Sequence, residues 1–262
     1  MRYMAYDRPV LRRTPGLVFW RLLGSGRGSS TSLAADLRRW ALFAVWRQES
    51  DLDRFLATSP ISARWRGETA ESWHVRLAPL ASRGRWDGVE PFGSLPEGGR
   101  PVRSSTEHGT GEAEPFGSLP GGGRPAGPAG DRGPGGMPDP AGTRAGTGMP
   151  GPGGPVAVLT RASVRPSRLV PFYRSVPEVD RLLAEQDGRL ASVGIGEWPL
   201  ARQGTFSLWR DEAAMRDFAH RGRAHRQVIG RTRAERWYSE DLFARFTPYA
   251  SEGTWDGADP LA

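Results

Sequence analysis

Residues 206–210 read FSLWR and residues 43–47 read FAVWR, so one short pattern occurs twice in this chain. Two further segments, residues 79–88 (PLASRGRWDG) and residues 248–257 (PYASEGTWDG), are identical at seven of ten positions. The spacing between the copies is similar at both motifs and slightly longer at the second. Matched motifs in the same order mark an internal duplication. The sequence therefore predicts two copies of one fold unit.

The composition excludes several classes of protein. The 262 residues include no cysteine, which rules out a disulfide framework, a thiolate nucleophile and thiolate ligation of a haem. No apolar run has the length of a membrane-spanning helix, and residues 1–24 lack the apolar block of a signal peptide, so we expect a cytoplasmic protein. The net charge is +7, but all 36 basic residues are arginines scattered along the chain. Because no single basic patch results, we expect no nucleic-acid partner.

Residues 89–154 differ in composition from the rest of the chain. Residues 90–101 (EPFGSLPEGGRP) recur almost unchanged as residues 114–125, and glycine, proline and alanine dominate the remainder. Such a segment cannot bury enough apolar surface to offset the entropy lost on ordering. The sequence thus predicts a disordered linker over 89–154, between a first half at 1–88 and a second half at 155–262.

The second half has the pattern of a ferredoxin-like unit. Strand-like and helical segments alternate in the order βαββαβ, with strands at residues 156–164, 190–199, 203–210 and 242–249 and a last helix at residues 211–236. The first half supplies only ββαβ, since its first thirteen residues are too few for both a strand and a helix. We therefore predict an α+β fold of tandem ferredoxin-like units whose first unit is incomplete, and expect the true start upstream of Met1.

His225 is the candidate ligand in the last helix. Five residues of this helix are spaced 3, 4, 3 and 4 apart and share the face that looks at the sheet: Met215, Phe218, Gly222, His225 and Ile229. The equivalent residue of the first copy is Ser62, so the imidazole belongs to one unit only. Spacing alone leaves two interpretations open, a ligand or a histidine hydrogen-bonded within the core.

Other conspicuous residues have plain structural interpretations. Arg161 and Arg165 flank the first strand of the second half, and surface ion pairing is their default role. The glycine pairs at 24–26 and 194–196 lie between strands and not before a helix, which favours hairpins over phosphate loops. The two Trp-Asp-Gly motifs, at 86–88 and 255–257, are expected to fix the tail of each unit by a turn and a buried ring.

Several short blocks of residues resemble the spheroidene monooxygenase family, the acyclic carotenoid 2-ketolases. In the second half they are residues 159–162 (LTRA), 194–197 (GIGE), 206–209 (FSLW) and 242–246 (LFARF). In the first half they are residues 11–16 (LRRTPG), 63–66 (ARWR), 71–73 (ESW) and 83–86 (RGRW). Two departures from the family pattern stand out, because the family has further sequence before the LRRTPG block and lacks the long Gly/Pro insertion.

The resemblance implies a haem-dependent oxygenase of the dimeric α/β-barrel class. Such an enzyme would use dioxygen and a ferredoxin-type electron donor to place a keto group at C-2 of a linear carotenoid. On this reading His225 becomes the axial ligand of a b-type haem, and Arg161 and Arg165 become partners for the haem propionates.

A linear polyene also needs a long apolar slot, for which one set of alternating residues is a candidate: Val193, Ile195, Phe206, Leu208 and Phe246. These residues equally suit a filled core. A carotenoid is dissolved in lipid, so transient contact with a membrane surface is expected as well. The alternative function is a non-catalytic haem- or lipid-binding protein of the same fold.

Overall fold

The structure, a computed structural model, describes residues 2–26, 35–93, 153–198, 201–221, 232 and 234–262. Most of the predicted linker and part of the last predicted helix lie outside these ranges. The helices described are α1 (Arg2–Arg12), α2 (Glu49–Thr58), α3 (Pro60–Glu68), α4 (Leu169–Ala184) and α5 (Glu212–Arg221), with a 3₁₀ turn at Pro166–Arg168. The strands described are β1 (Leu17–Gly26), β2 (Ala35–Trp46), β3 (Trp73–Gly84), β4 (Val156–Val164), β5 (Arg189–Trp198), β6 (Arg202–Trp209) and β7 (Tyr238–Gly253).

These strands form one curled sheet in the order β2-β1-β5-β6-β4-β7-β3, and every neighbouring pair is antiparallel. The two halves of the chain meet at two places in it. One is a short seam between β1 and β5, where Gly24 faces Gly196. The other is the long pairing of β3 with β7, which runs from Trp73 opposite Gly253 to Gly84 opposite Leu242. The protein is therefore an α+β fold on an antiparallel sheet to which both halves contribute.

In the second half the strands lie in the order β5-β6-β4-β7, so β4 separates β6 from β7. The corresponding strands of the first half, β2 and β3, lie at the two opposite edges of the sheet, and the described ranges contain no counterpart of β4 that would join them. Pro79 lies in β3, as an edge strand permits, because its missing N–H is not needed on the unpaired side. Because the described ranges contain no first-half counterpart of β4, both edge strands of the sheet, β2 and β3, belong to the first half.

Helix α1 corrects the expectation that the first thirteen residues hold no helix. Leu11 is buried in a cluster with Leu22, Phe55 and Ile61, so the helix is packed on the first half. Its buried Asp7 accepts a hydrogen bond from Arg64 of α3. The expectation failed because it required room for a strand as well, whereas eleven residues suffice for the helix alone.

The largest hydrophobic cluster contains residues from both halves of the chain. Phe19 and Trp86 of the first half pack in it with Leu159 and Phe246 of the second. A smaller cluster under α4 and α5 is centred on the buried ring of Trp209. The main core therefore belongs to the sheet as a whole and not to either half. No helix in the described part of the chain is long and apolar enough to cross a bilayer.

Candidate functional site

The two Trp-Asp-Gly motifs form two equivalent turns. Asp87 and Asp256 have φ angles of 53° and 56°, in the left-handed region that few residues other than glycine adopt. Trp86 bridges to Val89 and Trp255 bridges to Ala258 in the same antiparallel manner. The predicted role of these motifs as turns is therefore seen in both copies.

Each turn is held by a glutamate from the opposite half. One carboxylate oxygen of Glu240 accepts from the N–H of Asp87 at 2.9 Å, and the other accepts from the N–H of Gly88 at 2.7 Å. Glu71 accepts from the N–H of Gly257 at 2.7 Å and from the hydroxyl of Thr254 at 2.9 Å. Each glutamate reaches the turn of the other half because β3 and β7 run antiparallel, which places the start of each strand beside the end of the other.

These hydrogen bonds favour the ionised carboxylates. Partial burial opposes ionisation of Glu240, but the N–H groups of Gly88 and Asp87 and the guanidinium of Arg161 outweigh it and lower its pKa. For Glu71 the N–H of Gly257 is the main cause of a lowered pKa. Both turns are thus anchored by negatively charged groups at neutral pH.

At the first turn three arginines meet three carboxylates. Arg161, whose side chain is almost fully buried, donates to Glu240, to Asp87 at 3.3 Å and to Glu197 at 3.4 Å. Asp87 also pairs with two further arginines that approach from β1 and β6: Arg21 at 2.9 Å and Arg202 at 3.0 Å. The cluster therefore balances three positive and three negative groups and joins both halves at this turn.

Trp86 forms the floor of this cluster. Its ring is 0% exposed, and its indole N–H donates to Glu197 at 2.8 Å. The ring of Phe43 stacks on it with centroids 5.6 Å apart, and Phe19 meets it edge-on at 5.5 Å. The guanidinium of Arg161 lies 5.7 Å from its centroid on the polar side. The first turn is consequently closed, with no open space beside its tryptophan.

The second turn is open. Arg39, which is the counterpart of Arg202 in the first copy, pairs there with Asp256 and holds the pKa of that carboxyl below its ordinary value. Beside this ion pair lies a cavity of about 600 Å³, lined by Gly26, Asp36, Arg39, residues 189–193 of β5, Trp255, Asp256, Ala258 and Pro260. A second cavity, of about 420 Å³, lies apart from both turns, between α1 and the α2–α3 corner.

The sequence-predicted site residues are not brought together in the described ranges. Arg161 is the buried centre of the first turn, which the sequence did not predict. Arg165 is exposed, and its Nε donates to the carbonyl of Tyr238 at 3.2 Å. His225 lies outside the described residues. The five alternating apolar residues do share one cluster, with Ile195, Leu208 and Phe246 buried and Val193 and Phe206 half-buried.

Of the two candidate partners for haem propionates, only Arg165 fits that role. A propionate partner must offer a guanidinium that carboxylates have not already neutralised. Arg161 does not meet this condition, because Glu240, Asp87 and Glu197 surround it. Arg165 is exposed and forms no ion pair among those described, so its guanidinium meets this condition.

Sequence reasoning missed the residues that hold the two turns, although a signal for them exists. Glu71 and Glu240 have the same separation along the chain as the two Trp-Asp-Gly motifs, and Arg39 and Arg202 have that of the two Phe-x-x-Trp-Arg motifs. Extending the repeat residue by residue would have paired them. Arg161 itself carries no such signal, since the described part of the first half contains no counterpart of β4.

Three curated proteins are similar to this chain over nearly all of its length. The spheroidene monooxygenase of Rhodobacter capsulatus is 32% identical over 99% of this chain and 87% of its own length. That of Cereibacter sphaeroides is 30% identical over 98% of this chain and 64% of its own length. That of Rubrivivax gelatinosus is 31% identical, with 98% and 78% covered. No protein-family model matches the chain.

Solved structures are similar at a much lower level. The cofactor-independent oxygenase SnoaB of Streptomyces nogalater has a TM-score of 0.30 and 17% identity, covering 36% of this chain and 91% of its own. An anthrone oxidase-like protein has a TM-score of 0.31 and 12% identity, with 96% and 87% covered. At these scores the likeness supports no conclusion about activity.

The fold defines an α+β protein whose single antiparallel sheet encloses an apolar interior, and the relatives define an oxidoreductase of the monooxygenase class. More particularly, the chain belongs to the spheroidene monooxygenase family. The resemblance in the short sequence blocks is thereby confirmed.

Proposed function

We propose that this protein introduces oxygen into a linear carotenoid and carries the reaction to a keto group at C-2. The observation that carries the proposal is the 32% identity to a spheroidene monooxygenase over 99% of the chain. So long a match includes both halves of the sheet, and therefore the whole apolar interior that a polyene would require.

The proposed chemistry fixes the co-substrates. One oxygen atom of dioxygen enters the C–H bond of the substrate and the other leaves as water, which consumes a pair of electrons and a pair of protons. A second hydroxylation at the same carbon, with another dioxygen and another pair of electrons and protons, gives a geminal diol and a second water. Loss of water from this diol leaves the ketone. We propose a ferredoxin-type protein as the donor of the electrons.

The interior of the sheet supports an apolar substrate. Half-buried side chains from β2, β3, β5 and β6 pack around the fully buried cluster: Phe43, Val45, Leu77, Ala191, Val193 and Phe206. Side chains that are only half-buried can move aside for a ligand more readily than close-packed ones. The carotenoid itself is held in lipid, so we propose transient contact of the protein with a membrane surface.

A b-type haem with His225 as its axial ligand remains a proposal that rests on family resemblance, with Arg165 as a propionate partner. A haem would supply the activation of dioxygen. The test is the visible spectrum of the purified protein, in which loss of the Soret band from His225→Ala, with unchanged folding, supports the assignment. A normal Soret band in that variant, or unchanged haem affinity in Arg165→Ala, removes the respective role.

We also propose that the two halves are tandem ferredoxin-like units arranged as in a dimeric α/β-barrel, joined by a disordered linker. The predicted start of that linker at residue 89 is too early, because Val89 bridges to Trp86 and Phe92 packs against Phe43 and Phe246. Two observations support the tandem arrangement: the strand order β5-β6-β4-β7 with α4 and α5 as connections, and the two exchanged turns. Selective proteolysis within the linker, with both halves left associated, is the expected behaviour.

The function is tested by supplying the purified protein with lycopene, a reductant and a ferredoxin. We expect a ketocarotenoid whose formation requires both dioxygen and the reductant. A protein that binds the carotenoid but forms no oxygenated product under any of these conditions would contradict the proposal and favour a non-catalytic binding role.

A further inference from the structure

The two turns are equivalent in sequence and in backbone, yet one is closed and the other is open. Trp86 is fully buried at the first turn, whereas Trp255 is only half-buried at the second. The arginine that completes the first turn, Arg161, comes from β4. Because the first half has no counterpart of β4 in the described ranges, the second turn lacks a counterpart of this arginine, and a cavity of about 600 Å³ lies beside it.

The walls of this cavity continue into the core of the sheet. Three of its lining residues, Ala191, Val193 and Trp255, are also half-buried members of the main hydrophobic cluster. Their side chains therefore form an apolar floor that reaches the same interior as Phe206. The ring of Trp73 lies 5.4 Å from that of Trp255 and extends this apolar surface.

The rim of the cavity is different in character. Four charged residues line it, and their charges balance: Arg39, Arg189, Asp36 and Asp256. Arg39 pairs with Asp256 and lies 4.0 Å from Asp36, whereas Arg189 donates to the backbone carbonyl of Ala184 at 3.4 Å. Leu190, which is 39% exposed, places an apolar side chain at the opening beside Arg189. An apolar floor with a neutral polar rim suits a long apolar molecule that enters end-on.

We propose that this cavity is the mouth of the substrate site and binds the end of a linear polyene that carries the carbon to be oxidised. The proposal rests on the proposed function, because C-2 lies near the end of a linear carotenoid chain. At the closed first turn the side chains of Arg161 and Trp86 fill the equivalent space, so that turn has a structural role. The open second turn leaves this space for the ligand.

The repeat itself offers a matched pair of variants. Ala258 lines the open cavity, and Val89 occupies the equivalent place at the closed turn. Both residues are exposed, so that tryptophan at either position is compatible with folding. A second pair places phenylalanine deeper: Val193→Phe in the cavity floor and, as its control, Val18→Phe at a position on β1 that is 59% exposed.

The experiment measures how much detergent-dispersed lycopene co-elutes with the full-length protein, together with ketocarotenoid formation. Far-ultraviolet circular dichroism and the unfolding midpoint establish that each variant is folded. We expect Ala258→Trp and Val193→Phe to weaken lycopene binding about tenfold or more, which corresponds to about 1.4 kcal/mol. Val89→Trp and Val18→Phe should bind within about twofold of the unsubstituted protein, since neither fills the cavity.

The outcomes separate this proposal from the proposed function. Binding that is lost in Ala258→Trp but retained in Val89→Trp, without any oxygenated product, supports the site and removes the oxygenase function. Normal product formation by both folded cavity variants overturns the site and leaves the function standing. Loss of binding in Val89→Trp alone also overturns the site, and a protein that neither binds nor oxidises lycopene overturns both.

Discussion

Arg161 is the single residue on which most of the first turn depends. Its buried guanidinium faces Glu240, Asp87 and Glu197, which come from three separate segments of the chain. Burying charges is costly unless they are paired, so the cluster contributes to stability only while it is complete. The resemblance suggested this arginine for a cofactor, and its surroundings give it a structural role instead.

Replacing Arg161 by methionine should therefore destabilise the protein strongly. Methionine keeps much of the volume but leaves three carboxylates without their central partner, and we expect the free energy of unfolding to fall by about 3 kcal/mol. Urea denaturation measures this loss. In Arg165→Met, at an exposed position, the change should stay within about 0.5 kcal/mol. Equal effects of the two substitutions would contradict the structural role of Arg161.

Glu240 makes the first turn sensitive to acid. A carboxyl group with a lower pKa in the folded than in the unfolded chain stabilises the fold above its unfolded pKa, and this contribution is lost as the pH falls through the folded pKa. The pKa of Glu240 lies below its ordinary value of 4.5. We expect Glu240→Gln to be less stable than the unsubstituted protein at neutral pH, with the difference narrowing below that value.

Thermal unfolding at a series of pH values measures this narrowing. Glu90→Gln is the control, because Glu90 is an exposed carboxylate of the same region that pairs only with Arg85 among the ion pairs described. Its melting temperature should follow that of the unsubstituted protein at every pH. A constant difference between Glu240→Gln and the unsubstituted protein down to the most acidic pH would be inconsistent with a lowered pKa.

Among the elements, the pairing of β3 with β7 depends on two glycines at equivalent places. Gly84 and Gly253 have φ angles of 81° and 87°, and a Cβ at either would lie 2.2 Å or 2.0 Å from a backbone carbonyl oxygen, that of Asp241 or Ser72. Residues with a side chain rarely adopt this backbone conformation. The carbonyl of Asp241 lies within β7 and that of Ser72 immediately before β3, so neither can move freely. The close approach of these two glycines to the opposite backbone places the end of each strand beside the glutamate that holds the following turn.

Alanine at Gly84 or at Gly253 should thus lower the free energy of unfolding by about 2 kcal/mol, from left-handed strain and the clash together. Gly67→Ala is the matched control, since Gly67 lies in helix α3 with open space around it, and alanine there should stabilise by about 1 kcal/mol. Urea denaturation of the three variants gives the comparison. A neutral Gly84→Ala would mean that β3 and β7 pair less closely than described.

The elements also show where sequence reasoning succeeds and where it ends. Local patterns located β4 at residues 156–164, because alternation and flanking turns are properties of a short segment. They did not reveal that β1 pairs with β5, since that pairing joins residues far apart in the chain. Helix α1 was not predicted because the first thirteen residues were judged too few for a strand and a helix together, although eleven residues suffice for the helix alone.

In the candidate site, too, the sequence predicts local features but not the contacts between distant segments. The turns could be read from the repeated Trp-Asp-Gly, but the acids that hold them come from the opposite half and become neighbours only through the β3–β7 register. The asymmetry between the turns is a property of the whole sheet, because it follows from β4, which has no counterpart in the described part of the first half. No single segment carries that information.

At the scale of the whole molecule the halves share one core, so they should unfold together. Phe19 and Trp86 pack with Leu159 and Phe246, and neither half keeps a complete core alone. We expect urea unfolding followed by tryptophan fluorescence and by far-ultraviolet circular dichroism to give one coincident transition. Two separate transitions would show that the halves are independent domains.

Isotope labelling tests most directly whether this protein is a monooxygenase that acts on a linear carotenoid. The protein is incubated with lycopene, the ferredoxin and its reductant under ¹⁸O₂, and the carotenoid product is examined by mass spectrometry before its ketone can exchange with water. We expect a ketocarotenoid that carries one ¹⁸O atom. A product whose oxygen comes from water, or unchanged lycopene under a complete set of reactants, would contradict this activity.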